Sequence, residues 1–312
     1  MKRFALLALS VSVTTPLVAQ AGGATRVLIV SGLSGDPSFA RTFNTAAGAV
    51  YQAAHDRWHV ADSDLVYLNE DPTTAAHSTG KSTRENVAAA FTQLAAREHA
   101  GDVVLVLLIG HGAGEGAASA LNLPGPDPTA GDYATWVARL APATVVFVDA
   151  SSASGDFVPV LAGPNRIVIT ATKTAFERNA VEFAGFFANG LASGDADADK
   201  DGVVTVAEAF HYAVSRVAQS YDATKRMLTE HAVIADSSHL ASATGFGGRA
   251  SSADPRVTAL LGQRRAIQLQ VDSLHRLKPT MDSTAYQSAL ETLLLQLAER
   301  TRALQALQGA KP

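Results

Sequence analysis

Three short segments carry side chains whose types and spacing suit chemistry. The first is Gly110-His111-Gly112, directly after the apolar run Asp102–Ile109. A histidine at the carboxyl end of a buried strand can act as a general base. Glycines on either side let a backbone approach a substrate closely. The second is Ser151-Ser152-Ala153-Ser154-Gly155, which follows the apolar run Val145–Val148 and Asp149-Ala150. A serine and a histidine at neighbouring strand ends have the makings of a nucleophile and its base. A histidine that only caps the strand end is the plainer alternative. The third segment is Asp197-Ala198-Asp199-Lys200-Asp201-Gly202-Val203-Val204-Thr205-Val206-Ala207-Glu208. Its acidic residues stand at positions 1, 3, 5 and 12 of a twelve-residue loop, with glycine at 6 and a carbonyl, that of Val203, at 7. That is the pattern which wraps one hard cation, so Ca2+ held by Asp197, Asp199, Asp201, Val203 and Glu208 is expected. A lone loop of this kind suits a structural staple better than a sensor. An acidic loop capping the next helix without metal is the alternative.

Other patterns are weaker. Gly112-x-Gly114-x-x-Ala117 fits a dinucleotide fingerprint loosely, but that motif must follow the first strand and open a helix, and Leu121–Pro128 is Pro-rich. Gly80-Lys81-Ser82 lacks the upstream glycine of a phosphate loop and reads as a turn with a helix cap. His55 and His59 lack a nearby third ligand and read as surface residues. Trp58 and Trp136 read as packing residues.

The elements that must position the candidates alternate. Strands are expected at Arg26–Ser31, Asp64–Leu68, Asp102–Ile109, Val145–Val148 and Arg166–Thr170. Helices are expected over about 37–54, from the capping box Ser82-Thr83-Arg84-Glu85 to about 98, and over about 130–140 and 179–191. The Asp102–Ile109 run is apolar on both faces, which places it centrally in a parallel sheet. The fold class is α/β, a three-layer sandwich with a mainly parallel sheet. Beyond a small-residue linker at 241–254, Val257, Leu260, Leu261, Ile267, Val271 and Leu274 repeat at helical spacing, as do Leu290, Leu293, Leu294, Leu297, Leu304 and Leu307. Pro279 lies between the two stripes, so residues 255–312 are expected to form an α-helical hairpin, one that packs on its own domain or on a second copy as a dimer.

Taken together, a Gly-His-Gly after one core strand and an Asp-Ala-x-x-x-Ser-Gly after the next resemble the signature of caspase-fold cysteine peptidases, the legumain-like branch above all. The later "ITATKTAFERN", residues 169–179, adds to the likeness, which covers about Arg26 to Asp236 and is similar to exported bacterial members. The resemblance implies a caspase-like sandwich over 22–240. It makes His111 the catalytic histidine and Gly112 the residue whose N–H helps form an oxyanion hole. The cysteine position carries serine. Anchored on the trailing Ser-Gly it is Ser152, the favoured reading; anchored on Asp149-Ala150 it is Ser151. A hydroxyl does not reach the thiolate's acidity, so Cys→Ser normally removes most activity. Working serine triads need a third group that orients the histidine, and the sequence identifies none. Two readings stand: an impaired pseudoenzyme that binds a peptide or protein partner, or an active hydrolase using a Ser152–His111 dyad.

Composition bounds the rest. The chain has 312 residues, 47% of them hydrophobic, and no cysteine. Lys2-Arg3, the apolar stretch to Val18 and Ala19-Gln20-Ala21 read as an export signal, residues 1–21, so a periplasmic or secreted protein is expected. Cleavage would remove two cations, Lys2 and Arg3, and take the net charge from −4 to −6. Nucleic acid is excluded as a partner by that acidity, and no later segment is apolar over a length that spans a membrane.

Overall fold

The computed structural model describes residues 23–247 and 255–309. The export-signal reading of 1–21 and the linker residues 248–254 lie outside the described residues. Seven strands form the central sheet: β1 (Thr25–Ser31), β2 (Leu65–Asn69), β3 (Gly80–Lys81), β4 (Val103–Gly110), β7 (Thr144–Ser151), β8 (Arg166–Thr170) and β10 (Val233–Ala235). Their spatial order is β10-β8-β7-β4-β1-β2-β3. All pairings are parallel except β8 with β10. Two small ribbons stand apart, β5 (Gly112–Ala113) with β6 (Ala120–Leu121), and β9 (Val204–Thr205) with β11 (Gly245–Phe246).

The helices α1 (Pro37–Gln52), α5 (Phe183–Ser193) and α6 (Val206–Ala223) cover one face of the sheet. The helices α2 (Arg84–Ala95), α3 (Ala130–Val137) and α4 (Phe157–Leu161) cover the other. Alternation along the central strands explains the two cores. Leu105, Leu107 and Ile109 of β4 face α1, while Val104, Val106 and Leu108 face α2 and α3. Both sets are fully buried, which is why the sequence shows a continuous apolar run there rather than an alternating one. The mixed α/β sandwich with a mainly parallel sheet thus follows the expected class. No described helix is long and apolar enough to cross a membrane.

Several boundaries differ from expectation for local reasons. The strand read at Val145–Val148 continues through Ser151, because Ser151 pairs with Gly110 of β4. The cap of α2 is Thr83, whose hydroxyl accepts the Asn86 N–H, and Ser82 is buried instead. The helix read from 179 starts at Phe183, where the carboxylate of Glu230 accepts the N–H groups of Glu182 and Phe183. Strand β10, antiparallel at the edge, leaves no clear signal in sequence because it is three residues long and only half-buried. Within the span read as linker, Gly245-Phe246 form β11 and the Thr244 carbonyl accepts the Val206 N–H. After residue 254 come α7 (Pro255–Leu277) and α8 (Ser283–Gly309), separated by a short 3-10 turn at Lys278–Thr280.

Candidate functional site

The strand order places a reversal between β1 and β4. From β1 the chain moves outward to β2 and β3, then returns to β4 and continues outward through β7 and β8. Ligands bind at such a switch point, outside the carboxyl ends of the strands. The residues there are Ser31-Gly32 at the end of β1 and Gly110-His111-Gly112 at the end of β4, with Ser151-Ser152 at the end of β7 beside it. Both segments singled out in sequence therefore reach one edge of the sheet, on adjacent strands.

His111 continues the alternation of β4 and falls on the α1 side. Its ring meets Phe39 edge-on, with centroids 4.7 Å apart, and Phe43 at 5.3 Å. The imidazole is half-buried, and burial pulls its pKa below the usual value, although a hydrogen bond with the Ser34 backbone works the other way. Two aromatic rings and a backbone group hold it in surroundings that disfavour its charged form. None of the carboxylates of the described residues is hydrogen-bonded or ion-paired to it.

Ser152 lies 3% exposed, and its Oγ accepts the Gly112 N–H at 3.3 Å. The neighbouring Ser151 hydroxyl is 1% exposed and donates to the Ser152 carbonyl at 3.2 Å. Gly112 is required by this crossing: a Cβ there would stand 2.4 Å from the Ser152 carbonyl oxygen and 2.9 Å from Ser151 Oγ. After Ser152 the chain turns through Ala153, a buried non-glycine residue at φ 55°, the left-handed region. The Ala153 N–H donates to the Glu177 carbonyl at 2.9 Å, which ties the turn to the loop after β8. Thr172 of that loop accepts the Gly155 N–H. Arg178 from the same loop pairs with Glu115 at 3.3 Å, and both side chains are exposed.

Sequence reasoning gives Asp149 no part in the site beyond its place in the motif. The residue is fully buried and shares the parity of Val145 and Phe147 on β7, the side that faces α3. Its Oδ1 accepts the Ser151 N–H at 3.0 Å, and its Oδ2 has no hydrogen-bond partner. Burial pushes its pKa up to about 6, while the bonds from Ser151 pull it down. Asp149 thus fixes the turn and does not reach the histidine. Phe39, Phe43 and Ser34 were also missed. They lie far from the motif in sequence and carry no pattern of their own.

The acidic loop connects the end of α5 to α6. Carboxylate oxygens of Asp197, Asp199 and Glu208 come within 4.8 Å of one another. Asp197 accepts the N–H groups of Asp201 and Gly202, and Asp201 accepts that of Val203. Gly202 adopts φ 86°, which a side chain disfavours. Glu208 also serves α6: Thr205 and Glu208 form a capping box for that helix, and Glu208 Oε1 accepts the Ala198 N–H. Burial, then Asp201, pushes the Asp199 pKa up to about 6, with Arg264 opposing. The triad has the donors, the spacing and the turn to take one metal ion.

His55 and His59 do not share a site with these residues. His55 pairs with Asp56 at 2.6 Å on the surface. A cavity of about 920 Å³ is an open groove between α1 and α5 lined by Thr42, Ala46, Ala49, Ala188 and Ala192 among others. It holds none of the candidate residues named above.

No family model and no curated protein matches this chain. Among solved structures it is similar to protein GSU0716 from Geobacter sulfurreducens, with a TM-score of 0.44 and 13% identity over 68% of this chain and 93% of that one.

Proposed function

We propose that the chain is an exported caspase-fold protein of the legumain-like kind that holds a peptide or protein segment in its cleft without cleaving it. One observation supports this most: the Gly112 N–H, the group the resemblance assigns to an oxyanion, is already hydrogen-bonded by Ser152 Oγ. A nucleophile must face the substrate, and its oxyanion donor must be free to meet charge as it develops. Here the Gly112 N–H already donates to Ser152 Oγ. Among the described residues no carboxylate orients His111, so none of them compensates for the weak acidity of a hydroxyl. The loop 197–208 is proposed to bind Ca2+ through Asp197, Asp199, Asp201, the Val203 carbonyl and Glu208, joining α5 to α6. The helices α7 and α8 are proposed to form a hairpin whose outer face, with Leu294 48% and Leu295 61% exposed, meets a second copy.

The test is chemical labelling. Wild-type protein is expected to be inert to serine-directed phosphonate probes. Ser152→Cys, a near-isosteric change, is expected to react with a thiol-reactive peptide probe, and His111→Ala in that background to slow the reaction. Phosphonate labelling of the wild type at Ser152 would instead establish the serine hydrolase.

A further inference from the structure

Helix α7 buries Val257, Ile267, Val271 and Leu274, and in step with them it buries Arg264, 5% exposed. An arginine on an apolar stripe needs a counter-charge. The acidic loop supplies one. Arg264 Nη2 stands 2.6 Å from Asp199 Oδ2, and Nη1 donates to the Asp199 carbonyl at 2.6 Å. Its Nε is buried with no hydrogen-bond partner. A cation is therefore already seated against a carboxylate of the triad Asp197, Asp199 and Glu208. The guanidinium thus offsets part of the repulsion among three carboxylates that lie within 4.8 Å of one another.

We propose that Arg264 is a resident counter-ion that competes with calcium for Asp199, so that loading the loop with metal loosens α7 from the α/β domain. The proposal rests on the calcium reading of the loop. Calcium needs Asp199 at the third position of its coordination shell. A divalent ion there repels a guanidinium held by the same carboxylate. The two cations thus bind with opposing effect. Such coupling is reciprocal: the factor by which Arg264 weakens calcium binding equals the factor by which calcium weakens the seating of Arg264. The fixed end of α7 becomes the output. Val257 and Arg264 are both buried in the N-terminal half of α7, so releasing Arg264 removes one of the anchors there.

The experiment measures calcium affinity by calorimetry on the full chain, wild type against Arg264→Gln, together with hydrogen exchange of α7 in the wild type with calcium and with chelator. Arg264→Gln is expected to bind calcium about tenfold more tightly, ~1.4 kcal/mol. In the wild type, amides around 260–268 are expected to exchange faster with calcium than without. Equal affinities and unchanged exchange would overturn the competition and leave the calcium site standing. Absence of calcium binding in both proteins would overturn the calcium reading and the competition with it. If Arg264→Gln does not fold, the wild-type exchange experiment decides alone: slower or unchanged exchange in calcium contradicts the proposal.

Discussion

Replacing Asp149 with asparagine is predicted to gain stability relative to the wild type as the pH rises from acid to neutral. Asp149 is fully buried beneath the Ser151-Ser152 turn, with one oxygen bonded to the Ser151 N–H and the other unpartnered. Burial moves its pKa from 3.8 to about 6 in the fold. At about 1.36 kcal/mol per unit, the ionised form costs the native state about 3 kcal/mol. The sign follows from the direction. A carboxyl raised in the fold gives a contribution fully present below about pH 4, lost as pH rises to about 6, and constant above. Asparagine never ionises, so it escapes that loss. It keeps the oxygen that accepts from Ser151. Its NH2 group, placed where Oδ2 lacks a partner, adds an offset that does not depend on pH. The informative quantity is therefore the change in the difference between the two proteins. Denaturant unfolding at pH 4 and pH 7.5 is expected to show the variant gaining about 2.5 kcal/mol on the wild type between the two. In thermal melts, about 2–4 °C per kcal/mol makes that several degrees. A difference that stays flat with pH, or moves the other way, would refute the assignment of Asp149 as a buried acid that the fold disfavours in its charged form.

Gly112→Ala is expected to destabilise by about 1–3 kcal/mol, as overpacking does, because its Cβ would overlap the Ser152 carbonyl; a melt within a degree of the wild type would show that the strand ends give way. The His111 ring is expected to titrate below the ordinary histidine value of about 6.5, followed by its proton NMR signals, and a midpoint above it would contradict burial against Phe39 and Phe43. Calcium at about a hundred times its dissociation constant is expected to add about 2.7 kcal/mol to stability, with Asp197→Ala removing the gain, and identical wild-type melts in calcium and chelator would leave the loop as a helix cap.

The sheet was legible because β1, β4 and β7 are long apolar runs, and a strand buried on both faces leaves an unbroken signature in sequence. The two chemical segments were legible for the same reason: each is the first polar stretch after such a run. What decides their chemistry was not legible. Whether Ser152 faces a substrate or Gly112 depends on one residue of register across β4 and β7, and the pairing of Gly110 with Ser151 fixes it. The aromatic bed of His111 comes from α1, some 70 residues earlier, and Phe39 and Phe43 read only as part of an amphipathic helix. Arg264 was hidden in a similar way. It occupies a core position of α7, but the sequence reads it as one more charge between leucines, and its counter-charge lies 65 residues away.

The most direct measurement is turnover of a defined peptide library by the protein, followed by mass spectrometry, with Ser152→Ala and His111→Ala beside it. The expected result is intact peptides in all three samples, with a subset co-eluting with the wild type on gel filtration. Cleavage by the wild type that disappears in both variants would contradict the pseudoenzyme and make Ser152 a working nucleophile with His111 as its base.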